Sequence, residues 1–201
     1  MAADLSIKLF RQEAKFVAGV AKPEQLPKLF LPQFAFVGKS NVGKSSLINT
    51  ICNRKALARV SHTPGRTQQI NFFSIADKLM LADFPGYGFA KVSANQRIAW
   101  GKLIVYYLQN SDLLRMVNLL IDARRGIKEN DIEIMHLLKS CDKEFQIIFT
   151  KADKITAIDE FTAQMRQQLV DLGFICNIII TSSKNGTGAK ELQGSMMLRS
   201  L

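Results

Sequence analysis

No stretch of this chain approaches the ~20 consecutive apolar residues that a membrane span requires. A membrane partner is therefore not expected. The first residues carry charges at Asp4, Lys8, Arg11, Glu13 and Lys15 and lack a long apolar run, which argues against a secretory signal. Cysteine is scarce. Cys52, Cys141 and Cys176 are scattered, odd in number and without metal-ligand spacing, so a disulfide scaffold and a zinc fold are both excluded and reduced core thiols of a cytoplasmic protein are expected. Histidine is scarcer still. Neither His62 nor His136 has a partner constellation, so no catalytic histidine is assigned. Acidic residues are in deficit: 17 Asp and Glu stand against 27 Lys and Arg, a net charge of +10. Such a surplus points to a polyanionic partner, RNA foremost, although part of it serves a bound nucleotide.

What is present is an ordinary globular composition, 47% hydrophobic and 22% charged over 201 residues, enough for one domain with a full core. Residues 1–32, with Pro23, Pro27 and Pro32, read as an N-terminal arm, and 33–201 as the main domain. Apolar runs of strand length occur at 33–37, 69–75, 78–83, 116–122, 145–150 and 177–181. They are apolar nearly throughout, as strands covered on both faces should be. The two-residue link Ala76-Asp77 makes the second and third of them antiparallel. Helical spacing fills the gaps. Ser93-Ala94-Asn95-Gln96 is a capping box ahead of Trp100, Leu103, Ile104, Tyr107 and Leu108; with Tyr106 these aromatics are read as packing. Ile134, Leu137, Leu138 and Cys141 repeat the period. Thr156 can cap a helix that Gly173 stops, and 188–198 forms a last one. The expected fold is a three-layer α/β domain with a mostly parallel six-stranded sheet, one antiparallel edge strand and helices on both faces.

Gly38-Lys39-Ser40-Asn41-Val42-Gly43-Lys44-Ser45 matches G-x-x-x-x-G-K-[ST] between the first strand and a helix that opens Ser46-Leu47-Ile48, which is the context that a working phosphate loop requires. Its glycines let successive N–H groups turn inward, and the helix N-terminus adds a positive dipole end. Lys44 brings a charge to the β- and γ-phosphates, and the Ser45 hydroxyl can hold Mg²⁺. Asp83-Phe84-Pro85-Gly86 closes a strand. There Asp83 can hold water of the Mg²⁺ shell and Gly86 can meet a γ-phosphate. Thr150-Lys151-Ala152-Asp153 follows another strand. An ionised carboxylate only accepts, so Asp153 suits the N1–H and N2 amine of guanine, with the Lys151 stem over the base plane. Ser182-Ser183-Lys184 follows the last strand, which ends at Thr181 on the nucleotide, placing a Ser183 N–H for guanine O6. The nucleotide is therefore GTP or GDP. An ATP-using kinase fits neither Asp153 nor the absence of a lid segment.

These segments, with Thr63-Pro64-Gly65-Arg66-Thr67-Gln68-Gln69-Ile70-Asn71-Phe72-Phe73 and Asp83-Phe84-Pro85-Gly86-Tyr87-Gly88-Phe89-Ala90-Lys91, resemble the TRAFAC-type P-loop GTPases. Within them they resemble the EngB (YihA/YsxC) group of bacterial ribosome-assembly GTPases, from about residue 25 nearly to the end. The tail from Leu192 departs from the longer, charged last helix of that group. The resemblance implies GTP hydrolysis, Mg²⁺ dependence and service to the large ribosomal subunit by a cytoplasmic monomer. Thr67 matches the switch I threonine that ligates Mg²⁺ in the GTP state; Thr63 is its rival for that role. Gly65 and Arg66 join Thr67 at the nucleotide. Arg66 and Lys91 are read as contacts to a partner that sees the switch, and Arg124-Arg125 as a basic loop open to RNA.

Two positions set the expected chemistry. Tyr87 stands where signalling GTPases carry a water-orienting glutamine, which implies slow intrinsic hydrolysis. Asn41 occupies a loop position that in related GTPases assists a K⁺ ion; it is equally a turn residue tolerant of unusual φ/ψ. Lys44, Thr67, Gly86 and Asn41 are thus the residues expected to carry catalysis. A competing function is a nucleotide-gated regulator of a protein partner, as in cell division and septation or stress control.

Overall fold

The computed structural model describes residues 2–28, 30–58, 69–87 and 94–200. In chain order its elements are α1 (Ala2–Arg11), β1 (Ala14–Val20), β2 (Gln33–Gly38), α2 (Lys44–Ile51), β3 (Ile70–Ile75), β4 (Leu79–Asp83), α3 (Ala94–Asn110), β5 (Leu114–Asp122), α4 (Glu129–Ser140), β6 (Phe145–Thr150), α5 (Ile158–Asp171), β7 (Ile178–Ile180) and α6 (Ala189–Leu198). The strands form one sheet in the order β1-β3-β4-β2-β5-β6-β7.

Strand alternation divides the core in two. On β2, Phe34 and Phe36 face one side, against Leu47 and Ile48 of α2 and Leu192 of α6. Ala35 and Val37 face the other, with Leu103 and Tyr107 of α3, Met135 and Leu138 of α4, and Met165 and Leu169 of α5. Period-two side chains on a doubly covered strand demand this three-layer arrangement. α1 lies against α6 on the α2 side.

The sheet has seven strands where six were expected, and the added one comes from the segment read as an arm. β1 runs antiparallel along β3, with Ala14 opposite Ile75 and Val20 opposite Ile70. β3 is antiparallel to both β1 and β4, while β4, β5, β6 and β7 join β2 in parallel register. The antiparallel strand is therefore β3, and it is covered rather than at the edge. β1 escaped the sequence reading because an edge strand is half-wetted. Its burial follows no alternation, and Phe16 stays exposed although its ring meets Phe73 edge-on at 5.8 Å.

Local chemistry explains most boundaries. Ala76 and Asp77 both adopt positive φ, 53° and 51°, the two-residue turn that matches strand twist. Gly173, at φ 77°, ends α5; its N–H reaches Val170 O and the Phe174 N–H reaches Leu169 O, a Schellman closure. Thr156 does not cap α5. Ala157 holds the N-cap position without a side-chain bond. The capping-box Ser93 lies outside the described residues. Tyr107 packs as expected, its hydroxyl donating to Gln33 Oε1 at 2.5 Å, whereas Tyr106 points outward at 44% exposure.

Because the parallel strands share a direction, their C-terminal ends meet at one edge of the sheet. Gly38, Asp83, Asp122, Thr150 and Ile180 close β2, β4, β5, β6 and β7 there, and in open α/β sheets ligands bind at that edge.

Candidate functional site

The loop 38–43 folds as a turn whose bends are set by backbone chemistry. Asn41 takes the left-handed conformation at φ 60° and Gly43 takes φ 106°, the latter unsuited to a β-carbon. Gly43 is also the N-cap of α2, so Lys44, Ser45 and Ser46 form its first turn. The Val42 N–H bonds back to Lys39 O at 3.1 Å, and the Thr150 hydroxyl donates to Val42 O at 2.6 Å. Gly38 has no room for a side chain: a β-carbon would stand 2.9 Å from Leu120 O.

The D-x-x-G segment lies directly on this loop. The Tyr87 N–H donates to Gly38 O at 3.2 Å and the Ser40 N–H to Tyr87 O at 3.1 Å. A β-carbon on Gly86 would come within 2.8 Å of the Ser40 backbone. Gly86 is thus required by backbone packing as well as by any phosphate. Lys44 Nζ is ion-paired and hydrogen-bonded to Asp83 Oδ1, both side chains being largely buried. The ammonium expected at phosphate and the carboxylate expected at the metal shell satisfy each other.

Tyr87 does not face the loop. It is 8% exposed and its hydroxyl donates to Asp131 Oδ1 on α4. Asp131 Oδ2 in turn accepts the Lys128 N–H at 2.9 Å. Burial foremost, then the Asp131 charge and hydrogen bond, raise the Tyr87 phenol above its ordinary pKa. The comparison with a glutamine gives a position in the chain and not the direction of the side chain.

The two base-recognition loops are laced together. The Ala152 N–H donates to Thr181 O at 3.0 Å and the Ser182 hydroxyl to Asp153 Oδ1 at 2.6 Å. That Ser182 bond, more than any other influence, lowers the Asp153 pKa, keeping the group ionised and acceptor-only at neutral pH. The Ser182 hydroxyl also accepts the Lys184 N–H at 3.3 Å, which leaves Ser183 and Lys184 at the turn of the second loop. Gly188 supports this loop from behind. At φ 71° it caps α6, and a β-carbon there would collide with Ile180 O at 2.0 Å.

Lys151 joins the two loops through its ammonium. It adopts φ 60°, and its ammonium donates to Asn41 O at 2.8 Å and to Asp122 Oδ2 at 2.9 Å. The base loop is thereby tied to the phosphate loop. Asp122, unremarked in the sequence, is 7% exposed and also takes two bonds from the Arg124 guanidinium, at 2.9 and 2.6 Å. Burial alone would raise its pKa; the Arg124 and Lys151 hydrogen bonds outweigh burial and hold the carboxyl well below the carboxylate range. Its position at the C-terminal end of an apolar strand was the available signal, the same one that singled out Asp83 and Asp153. Arg124 is paired with Asp122 while its side chain stays 49% exposed, and Arg125 beside it is exposed. Burial pushes the Cys52 thiol up to about 12, so it is inert packing. Gly65, Arg66, Thr67, Thr63, His62 and Lys91 lie outside the described residues.

The loop, the acidic strand ends and the carboxylate three residues past β6 thus assemble at one edge, in the order that a guanine-nucleotide site needs. A family described as 50S ribosome-binding GTPase matches residues 33–151. The chain is 57% identical to the probable GTP-binding protein EngB of Rickettsia felis over 94% of its length and 89% of that protein's. It is 56% identical to its counterpart in Rickettsia prowazekii, over 94% and 88%. Among solved structures, a probable GTP-binding protein EngB superposes with a TM-score of 0.61 at 20% identity, covering 84% of this chain and 97% of that one. Era from Aquifex aeolicus bound to GDP·AlF4⁻ gives 0.68 at 22% identity, covering 83% and 56%. No helix among the described residues is long and apolar enough to cross a membrane. The site and these relatives agree, and the chain belongs to the EngB family of GTP-binding proteins, P-loop GTPases that hydrolyse GTP to GDP and phosphate.

Proposed function

We propose that this GTPase is a nucleotide-dependent switch that assists assembly of the large ribosomal subunit, docking on its RNA in the GTP form. The observation that carries the switch is the direct backbone contact between the phosphate loop and the segment 85–87, with Lys44 paired to Asp83. Bound phosphate has to draw Lys44 from that partner, and a third phosphate meets the Gly86 N–H where Gly86 rests on Ser40. The family description and the net charge of +10 support the ribosomal partner. Ribosome co-sedimentation tests it. Binding is expected in GTP, weaker in GDP and lost at high salt, because phosphate contacts release counterions. Equal pelleting in both nucleotides would instead favour a regulator of a protein partner.

The Ser45 hydroxyl and the Asp83 carboxylate are hard oxygen donors of the kind Mg²⁺ takes. With Thr67 they form the proposed metal set, and the ion would neutralise charge on the β- and γ-phosphates. The chain's own groups then do the positioning: Lys44 on phosphate oxygens, the loop N–H groups around them, and the Gly86 N–H at the γ-phosphate. Asn41 is the proposed helper of a K⁺ ion. GTP turnover is expected to be faster in KCl than in NaCl at matched ionic strength, and equal rates would remove Asn41 from that role.

Slow intrinsic hydrolysis follows from Tyr87. Its hydroxyl is committed to Asp131, so no amide orients the attacking water. Tyr87→Phe is expected to keep turnover within a few-fold of the parent. The hydroxyl's loss leaves one buried carboxylate oxygen short of a donor, at about 1–3 kcal/mol, or about 2–12 °C in melting temperature for a domain this size. The phenol's raised pKa gives the linkage its sign. The stabilisation is complete below the ordinary tyrosine value of about 10 and falls as pH rises past it. Melting curves of parent and Phe variant should therefore converge in alkali. Total loss of turnover in Tyr87→Phe would make the hydroxyl a catalytic group after all.

A further inference from the structure

We propose that Asp122 is a positioning residue for nucleotide binding, acting through Lys151 to hold the phosphate loop and the base loop in register. The inference rests on the assignment of Asp153 to guanine. Two non-glycine residues of the site, Asn41 and Lys151, sit at φ 60°, a conformation that persists only where surrounding contacts over-determine it. One ammonium joins them. Lys151 supplies it from its own strained backbone, and it donates to the Asn41 carbonyl at 2.8 Å. Asp153 follows two residues later in the same 3-10 turn, Ala152–Lys154, so the path of Lys151 aims the carboxylate at the base.

With the Lys151 side chain 31% exposed, an ammonium bonded to one neutral carbonyl would be poorly compensated. Asp122 supplies the missing charge at 2.9 Å. It is fixed from behind by Arg124, whose Nε lies 2.9 Å from Oδ1 and whose terminal nitrogen lies 2.6 Å from Oδ2. Its own backbone is pinned to β6, with the Ala123 N–H on Thr150 O at 2.9 Å. The carboxylate's hydrogen bonds go to Arg124 and Lys151, so its effect on affinity passes through the lysine head.

A double-mutant cycle in GDP affinity, read with a fluorescent GDP analogue on the full chain, tests this route. Asp122→Ala and Lys151→Met are each expected to weaken GDP by about tenfold, the scale of one charge-assisted hydrogen bond. The double variant should be no weaker than Lys151→Met alone. A purely structural Asp122 would weaken binding equally in either background, so losses that multiply overturn the proposal. Should Asp122→Ala fail to fold, Asp122→Asn enters the same cycle. Lys151→Met leaves Asp122 satisfied by Arg124. Asp153→Asn reports on the base assignment separately. If it leaves GDP affinity intact, that assignment fails and the proposal with it. If it weakens GDP while the other two losses multiply, only the route through Lys151 fails.

Discussion

Lys44→Met is expected to reduce GTP turnover by at least about a thousandfold and, in the same protein without nucleotide, to lower the melting temperature. The two effects have different origins. In the nucleotide-bound protein the ammonium neutralises charge that grows on the β- and γ-phosphates. Removing one such preorganised group costs about 10²–10³ in rate, and weaker binding adds to the loss. In the empty protein the same ammonium compensates Asp83, whose side chain is 8% exposed while that of Lys44 is 11% exposed. Taking away one partner of a buried pair costs about 3–5 kcal/mol because the other charge is left without compensation. With both groups still touching solvent, the lower end is expected, or a fall of about 6–12 °C. Lys44→Met combined with Asp83→Asn separates the two. The double variant should recover most of the melting temperature and none of the turnover. If Lys44→Met melts with the parent, the pair does not hold the empty site together. If the double variant turns over GTP, Lys44 is not the phosphate cation.

The contrast between Lys44 and Tyr87 illustrates what the sequence could carry. Lys44 was placed by local rules: a glycine at positive φ, a strand before it, a helix after it. The same rules located Asp83, Asp153 and the closing Gly173, since each depends on a strand or helix end visible within a few residues. The direction of the Tyr87 side chain is beyond those rules, because its partner Asp131 is 44 residues away on α4. The bonds of Lys151 and Asp122 are hidden from the sequence for the same reason. Their bonds join β5, β6 and the phosphate loop, and no local pattern announces which of several acceptors a long flexible cation will choose. β1 is the fold-level counterpart. Its pairing with β3 spans half a hundred residues, and as a half-wetted edge strand it lacks the alternation that would have marked it. The sequence places Gly188 at the start of the last helix but not against β7, because a clash with Ile180 O exists only once β7 and α6 are packed.

Asp153→Asn is expected to weaken guanine nucleotides by about 10²–10⁴ and to improve xanthine nucleotides. Guanine offers two adjacent donors, N1–H and the N2 amine, and an ionised carboxylate meets both with lone pairs. Hydrogen bonds to a charged group are worth about 1.5–3 kcal/mol each, so losing or inverting both gives that range. The local structure sharpens the expectation. The Ser182 hydroxyl donates to Asp153 Oδ1 and lowers its pKa, so the carboxylate is ionised throughout the neutral range. An asparagine there has one acceptor oxygen to share between Ser182 and the base. If Ser182 keeps that oxygen, the amide NH₂ faces guanine's donors, and like groups repel. Xanthine replaces the N2 amine by a carbonyl, which an amide donor can serve. The sign of the folded pKa supplies a further check. Because the Asp153 carboxyl is held below its ordinary value, guanine affinity of the parent should stay flat from neutral pH down towards the carboxylate range and fall only below it. Isothermal titration with GDP and XDP on parent and variant measures both effects. A variant that keeps guanine preference, or a parent whose affinity falls well above the carboxylate range, would place the base contact on some other group.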